Sequence, residues 1–339
     1  AILYMAGSNP EAAGDLIEQK LKASNDQNNA LFSYKFTING DTVSANYIDS
    51  VLDKSDDLDL RLKTWEASKE VGVGLKDGLM NLQGLRNETV RALGYEDFYH
   101  YQVSDYGMEK SEDMLEMCKQ MNRDIWPLYR ELHTWARHTL AKKYATEVPE
   151  MLPAHWLPNR WGQDWTGLVN VEGLDVDKAL SEKSAEWITK QGEEFYVSLG
   201  FERLPQSFYD KSSLYPAPDG VDWSKNNHAS AWHMNNNQDV RSLMSIVPNT
   251  RWWGTALHEL GHIYYFLEYS NPDVPVILRG GANRGYHEAM GSLLGLAAMQ
   301  QPFLENRGLL EKGLEVDQVQ VLLKEALDFA VLIPWGAGV

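Results

Sequence analysis

Between Asp57 and Leu93 apolar residues return every three or four positions, as in Leu60, Leu62, Trp65, Val71, Leu75, Leu79 and Leu82. That period gathers them on one side of a helix, and the spacing predicts one long helix closed by Gly94-Tyr95. A second helix is predicted from about Ser111 to Tyr144, where Glu112 and Asp113 put negative charge in the first turn. A third runs from Val176 to Leu199 and stops at Gly200. Segments 146–172 and 202–227, rich in Pro, Gly and Trp, read as loops. The texture then changes. Residues 228–234 and 240–247 alternate with a period of two around Asn235-Asn236-Asn237-Gln238-Asp239, which predicts a β-hairpin. After Pro248 helical periodicity resumes over Trp252–Tyr269, Tyr286–Met299 and Val316–Leu332. Residues 1–40 carry no readable pattern. The expected class is mainly α with a small sheet, and no clean boundary divides the 339 residues.

Composition narrows the functions. Hydrophobic residues make up 43% and charged residues 23%, ordinary values for a globular chain. A net charge of −17 repels phosphate backbones and anionic lipid, so nucleic acid is not an expected partner. No apolar run approaches the ~20 residues of a membrane-spanning helix. The single cysteine, Cys118, has no intrachain partner and is expected to pack. The first residue is Ala1, and the last eight, Leu332–Val339, are apolar without a polar finish. The expectation is a piece of a longer domain lacking both ends, with any leader sequence outside it and a periplasmic or secreted location.

The sharpest chemistry is His258-Glu259-Leu260-Gly261-His262 within the helix predicted over Trp252–Tyr269. Residues four apart share a helix face, so both imidazoles can hold one Zn²⁺ at ~2.0–2.1 Å. Glu259, on the adjoining edge, can reach water at the metal without ligating it, the place for a general base. Gly261 costs the helix roughly 1 kcal/mol against Ala, which suggests close approach by another backbone or by substrate. Such a short pattern also arises by accident. Here it sits in an amphipathic helix, a candidate edge strand precedes it, and further donors follow at Tyr286-His287-Glu288. His287 and Glu288 both qualify chemically as third ligand, and spacing does not choose between them. A carboxylate would give the open His₂Glu set of catalytic sites.

Four blocks in order, Leu152–Trp165, His228–Trp232, His258–Tyr265 and Arg279–Ala289, resemble the angiotensin-converting-enzyme family of zinc dipeptidyl carboxypeptidases, most of all its bacterial-type members. The resemblance implies a largely helical ellipsoid with a deep central channel and a small sheet beside the zinc helix. It implies one Zn²⁺ held by His258, His262 and Glu288, with Glu259 as general base and later proton donor to the leaving amine. His228 would bond a substrate carbonyl. Ala229 and Ala231 would offer backbone groups to an extended oligopeptide, and Gln163 would hold its C-terminal carboxylate. His155, Trp156, Trp161 and Trp165 are expected to pack.

The departures are specific. Better-known members carry an Asp that orients a zinc histidine where this chain has Ser292, which accepts an N–H but brings no charge. The family's oxyanion donors and its Lys and Tyr for the substrate carboxylate correspond to positions beyond Val339. The expected activity of the whole protein is release of C-terminal dipeptides, with the piece alone inactive or impaired. The alternatives are an oligoendopeptidase or carboxypeptidase on the same scaffold, or a silent peptide-binding homologue.

Overall fold

The structure is a computed structural model describing residues 13–108, 110–174, 176–218, 221, 223 and 225–338, without the Ile277 side chain. Ala1–Met5, Gly220 in the second loop and Val339 of the apolar tail lie outside the described residues. The described residues are mainly helical, with two separate two-stranded sheets among them. It divides into two compact units, one of residues 172–316 and the other of residues 13–171 with 317–338.

The larger unit opens with α1 (Gly14–Phe32), which has no fully buried residue and so left no pattern to read. A hairpin follows, β1 (Phe36–Ile38) against β2 (Asp41–Val43). Next come α2 (Ala45–Lys54), α3 (Leu58–Lys69), α4 (Val71–Arg91), α5 (Phe98–Ser104) and the long α6 (Ser111–Lys143). The helix expected over Asp57–Leu93 is thus two. At the break Glu70 N–H bonds Ala67 O, a tightened turn, and Gly72 and Gly74 beyond it weaken any continuous helix. Arg61, 2% exposed, donates to the carbonyls of Ser55, His155, Trp156 and Leu157 and ties α3 to the Trp-rich segment. Trp156 and Trp165 are buried as expected. Trp161 is not: it lies exposed beneath Lys69, 4.5 Å from its ring centroid. Cys118 is half-buried.

The unit of residues 172–316 contains α7 (Asp177–Leu180), α8 (Ala185–Ser198), α9 (Gln206–Lys211), β3 (Ser230–His233), β4 (Val240–Leu243), α10 (Thr250–Tyr269), α11 (Arg284–Ala297) and α12 (Gln301–Asn306). The helix expected over Val176–Leu199 is interrupted because the Ser184 side chain accepts from Trp187 N–H and starts a new helix. α9 arises inside a predicted loop, straight after Pro205. The core gathers α8, the hairpin and α10 around Ile188, Phe195, Val240, Met244, Trp253 and Leu257. The final helix, α13 (Gln318–Gly338), belongs to the larger unit, where Trp165 N–H bonds Leu327 O and Trp335 Nε1 bonds Trp161 O.

Candidate metal centre

Two caps fix the helices of the site. Asn249 accepts from Trp252 N–H at the start of α10, and Asn283 accepts from Tyr286 N–H at the start of α11. Asp177 also accepts from Thr250 N–H, anchoring the first turn of α10 to α7. α10 is buried on most sides, its Leu257, Leu260, Ile263 and Tyr264 reaching into the core. Its histidines stand one turn apart with Nε2 atoms separated by 3.1 Å. Glu288 Oε2 lies 3.4 Å from His258 Nε2 and 3.7 Å from His262 Nε2. Three donors tetrahedrally placed at ~2.0–2.1 Å from one zinc ion are ~3.3 Å apart, so the set has the right spacing for that ion. Among the described residues it is the one group of three such donors.

Electrostatics agree with ligation. Burial and the neighbouring His258 hold His262 below the usual histidine range, favouring the neutral form that binds metal. The His258 hydrogen bond, then the His262 and Arg284 charges, keep Glu288 below the ordinary carboxylate range against the opposing effect of burial. Arg284 stands 3.7 Å from Glu288 Oε1; as a residue four positions earlier on the same helix it was readable from sequence but not singled out. Glu259 is 6% exposed, and its Oε2 is buried without a hydrogen-bond partner. Burial pushes its carboxyl up to about 7, helped by Glu288 and opposed by His258. A carboxyl titrating there accepts and returns a proton near neutrality.

His287 does not join the donors. Its ring packs 4.5 Å from Tyr265 and 4.8 Å from Phe266, and burial pushes it down to about 4. Among the described residues no hydrogen bond links Ser292 to either imidazole; the His262 ring lies against that of His258. Ser292 is half-buried on α11.

The hairpin packs on α10 with one edge open. Met234 N–H bonds Asp239 O, and the register pairs Trp232 with Arg241 and Ser230 with Leu243. Hydrogen-bonded pairs alternate in an antiparallel ladder, so the backbone groups of Ala231 and His233 point away from β4. Residues 212–214 cover the far side of β4: Ser213 N–H bonds Ser242 O, and Met244 N–H bonds Ser213 O. Among the described residues β3 is therefore the free edge. Ala229 is buried just before it, and its carbonyl lies 2.8 Å from His228 Nδ1. His228 is exposed. Gln163 belongs to the larger unit, half-buried two residues before Trp165. Sequence reasoning missed Tyr196, a buried residue of α8 whose hydroxyl donates to Leu257 O on α10 at 2.8 Å. No local signal marks it, since 61 positions separate the two.

A family profile described as angiotensin-converting enzyme, peptidase M2, matches residues 18–339. The chain is 31% identical over 303 residues to an angiotensin-converting enzyme of Haematobia irritans exigua, covering 85% of this chain and 48% of that protein. It is 32% identical over 291 residues to one of Mesocricetus auratus, covering 81% of this chain and 22% of that protein. A third, from Theromyzon tessulatum, is 29% identical over 305 residues, with 85% and 48% covered. The chain thus spans about half the length of these relatives, or less.

Proposed function

The chain belongs to the angiotensin-converting-enzyme family of metallopeptidases, and on that premise we propose that the whole protein is a zinc peptidyl-dipeptidase. It removes C-terminal dipeptides from unstructured oligopeptides outside the cytoplasm, periplasmic or secreted. The observation that carries this reading is the convergence of His258, His262 and Glu288 with buried Glu259 beside them. Two imidazoles and one carboxylate suit zinc and leave a coordination place open, the pattern of catalytic sites. When bound, zinc supplies a Lewis acid that polarises the scissile carbonyl and acidifies water. Glu259 takes the proton of the attacking water and hands it to the departing amine. The peptide adds as a strand along β3, pairing with the outward backbone groups of Ala231, with Ala229 at the strand's entry. His228 turns from the Ala229 carbonyl to a carbonyl of the substrate. Ser292 supports the ligand set as a neutral neighbour.

The zinc-loaded intact protein is expected to release the terminal dipeptide from a blocked tripeptide. Glu259→Gln is expected to lower turnover ~10²–10⁴-fold while retaining zinc. Product masses from a decapeptide test the exopeptidase claim. Stepwise loss of two residues supports it, and internal cuts or single-residue loss replace it with an endopeptidase or a plain carboxypeptidase. A zinc-bound protein that cleaves nothing is the silent peptide-binding homologue.

A further inference from the structure

α10 and α11 meet where neither carries a side chain. A Cβ on Gly261 would sit 2.7 Å from Gly291 Cα, 3.1 Å from Gly291 N and 2.9 Å from the Tyr196 hydroxyl. A Cβ on Gly291 would sit 2.9 Å from His258 Cε1, from His258 Nδ1 and from the His258 carbonyl oxygen. Packed interiors do not sustain such separations, so in each case something has to move. At Gly261 the obstacle is backbone, which yields only if the two helices part. At Gly291 it is the imidazole of a metal donor together with that residue's own carbonyl.

Farther along the same interface the fit relaxes. A Cβ on Gly295 would lie 3.6 Å from His258 Cβ, and one on Gly254 would lie 3.9 Å from Met299 Sδ, both ordinary contacts. The close approach is therefore confined to the level of the donors. Tyr196, fully buried and stacked on Tyr264 at 4.4 Å, donates its hydroxyl to Leu257 O of α10 at 2.8 Å and so adds a second obstacle at the same point. Glu288 stands three residues before Gly291, on the turn of α11 whose distance from α10 decides how far its carboxylate must reach.

We infer that Gly261 and Gly291 are positioning residues for the metal: their backbone-to-backbone contact sets the α10–α11 spacing and the His258 ring orientation at which the three donors converge. This rests on the metal reading above. A purely local role predicts the opposite sign, because glycine-to-alanine changes inside helices ordinarily stabilise by ~0.5–1 kcal/mol.

The test is zinc affinity of the intact protein by chelator competition, with the visible spectrum of the Co²⁺-substituted form as a report on ligand geometry. Gly261→Ala and Gly291→Ala are expected to weaken zinc binding ~10–100-fold and to alter the Co²⁺ spectrum. Gly295→Ala is expected to leave both within about twofold of wild type. Circular dichroism of the metal-free proteins separates misfolding from misplacement. If Gly261→Ala does not fold, Gly291→Ala decides, because two of the three atoms against it belong to an imidazole that can swing aside and only the His258 carbonyl is backbone. A folded Gly291→Ala protein with wild-type affinity and spectrum overturns the inference, as does an equal loss in Gly295→Ala. A wild-type protein that takes up no zinc overturns the metal reading itself, and this inference with it.

Discussion

Among the described residues two hairpins of similar size do different work. In the larger unit, β1 and β2 are joined by Asn39-Gly40, both at positive φ (53° and 93°), the tight turn whose twist matches the strands it connects. Phe36 and Ile38, each 6% exposed, drop into a small core with Ile48, Leu52, Ala67 and Val71. The second hairpin, β3–β4, has a longer Asn-rich turn and lies on α10. Val240 is fully buried, residues 212–214 cover the β4 edge, and β3 keeps outward backbone groups unpaired by β4. The first hairpin spends its side chains on stability. The second spends its on docking against the metal helix and leaves main chain available. An open strand edge is a liability in most proteins; here it is the edge along which we propose that the peptide adds.

Substitutions in the two hairpins should separate these roles. The largest expected effect is in the first: Ile38→Ala should cost ~2–4 kcal/mol in urea unfolding, with kcat/KM per folded molecule unchanged. Ala231→Pro in the second should do the reverse. It removes an outward N–H at an edge position where proline is tolerated, so peptide kcat/KM should fall about tenfold while the melting temperature holds within a few degrees. Equal losses of stability and turnover in both variants would erase the distinction. Gly40→Ala should cost ~1 kcal/mol, because alanine resists the left-handed conformation of that turn, again without kinetic consequence.

The smallest effect is a slope in pH, in the unit that holds the first hairpin. Burial, with Asp164 nearby, pushes Asp328 of α13 up to about 6 from the ordinary 3.8. The folded state then holds this proton more tightly than the unfolded one. Stability should fall as pH rises from about 4 to about 6, and the penalty should be complete above that. Asp328→Asn should flatten the slope and raise the melting temperature at pH 8, which thermal unfolding across pH would show.

Legibility followed locality. The second hairpin, the helix of the two histidines and the placement of Glu259 were all readable, since each depends on neighbours a few residues away. The first hairpin was as readable in principle, because Asn-Gly between short alternating strands is a strong turn signal, but the patternless stretch before it hid that turn. The breaks at Glu70 and Ser184 were missed because periodicity runs across them while one tightened turn or one capping hydroxyl interrupts the helix. Trp161 was expected to pack and instead lies exposed beneath a lysine, an arrangement that composition does not encode. The close approach suspected at Gly261 is real, and its nearest partner is the Gly291 backbone, with the Tyr196 hydroxyl beside it.

The amino-acid order alone determined two imidazoles on one helix face, a carboxylate beside them, and a strand-turn-strand ahead of them. These are consequences of a repeat of 3.6 residues and a repeat of two. It left His287 and Glu288 as equal candidates, because both carry donors and they are adjacent. Adjacent residues on a helix point about 100° apart, so only one can face a given neighbour. Which one depends on how α11 is rotated and how near it lies to α10. The packing of Gly291 against His258 and Gly261 decided that, turning Glu288 toward the histidines and His287 into the aromatic cluster.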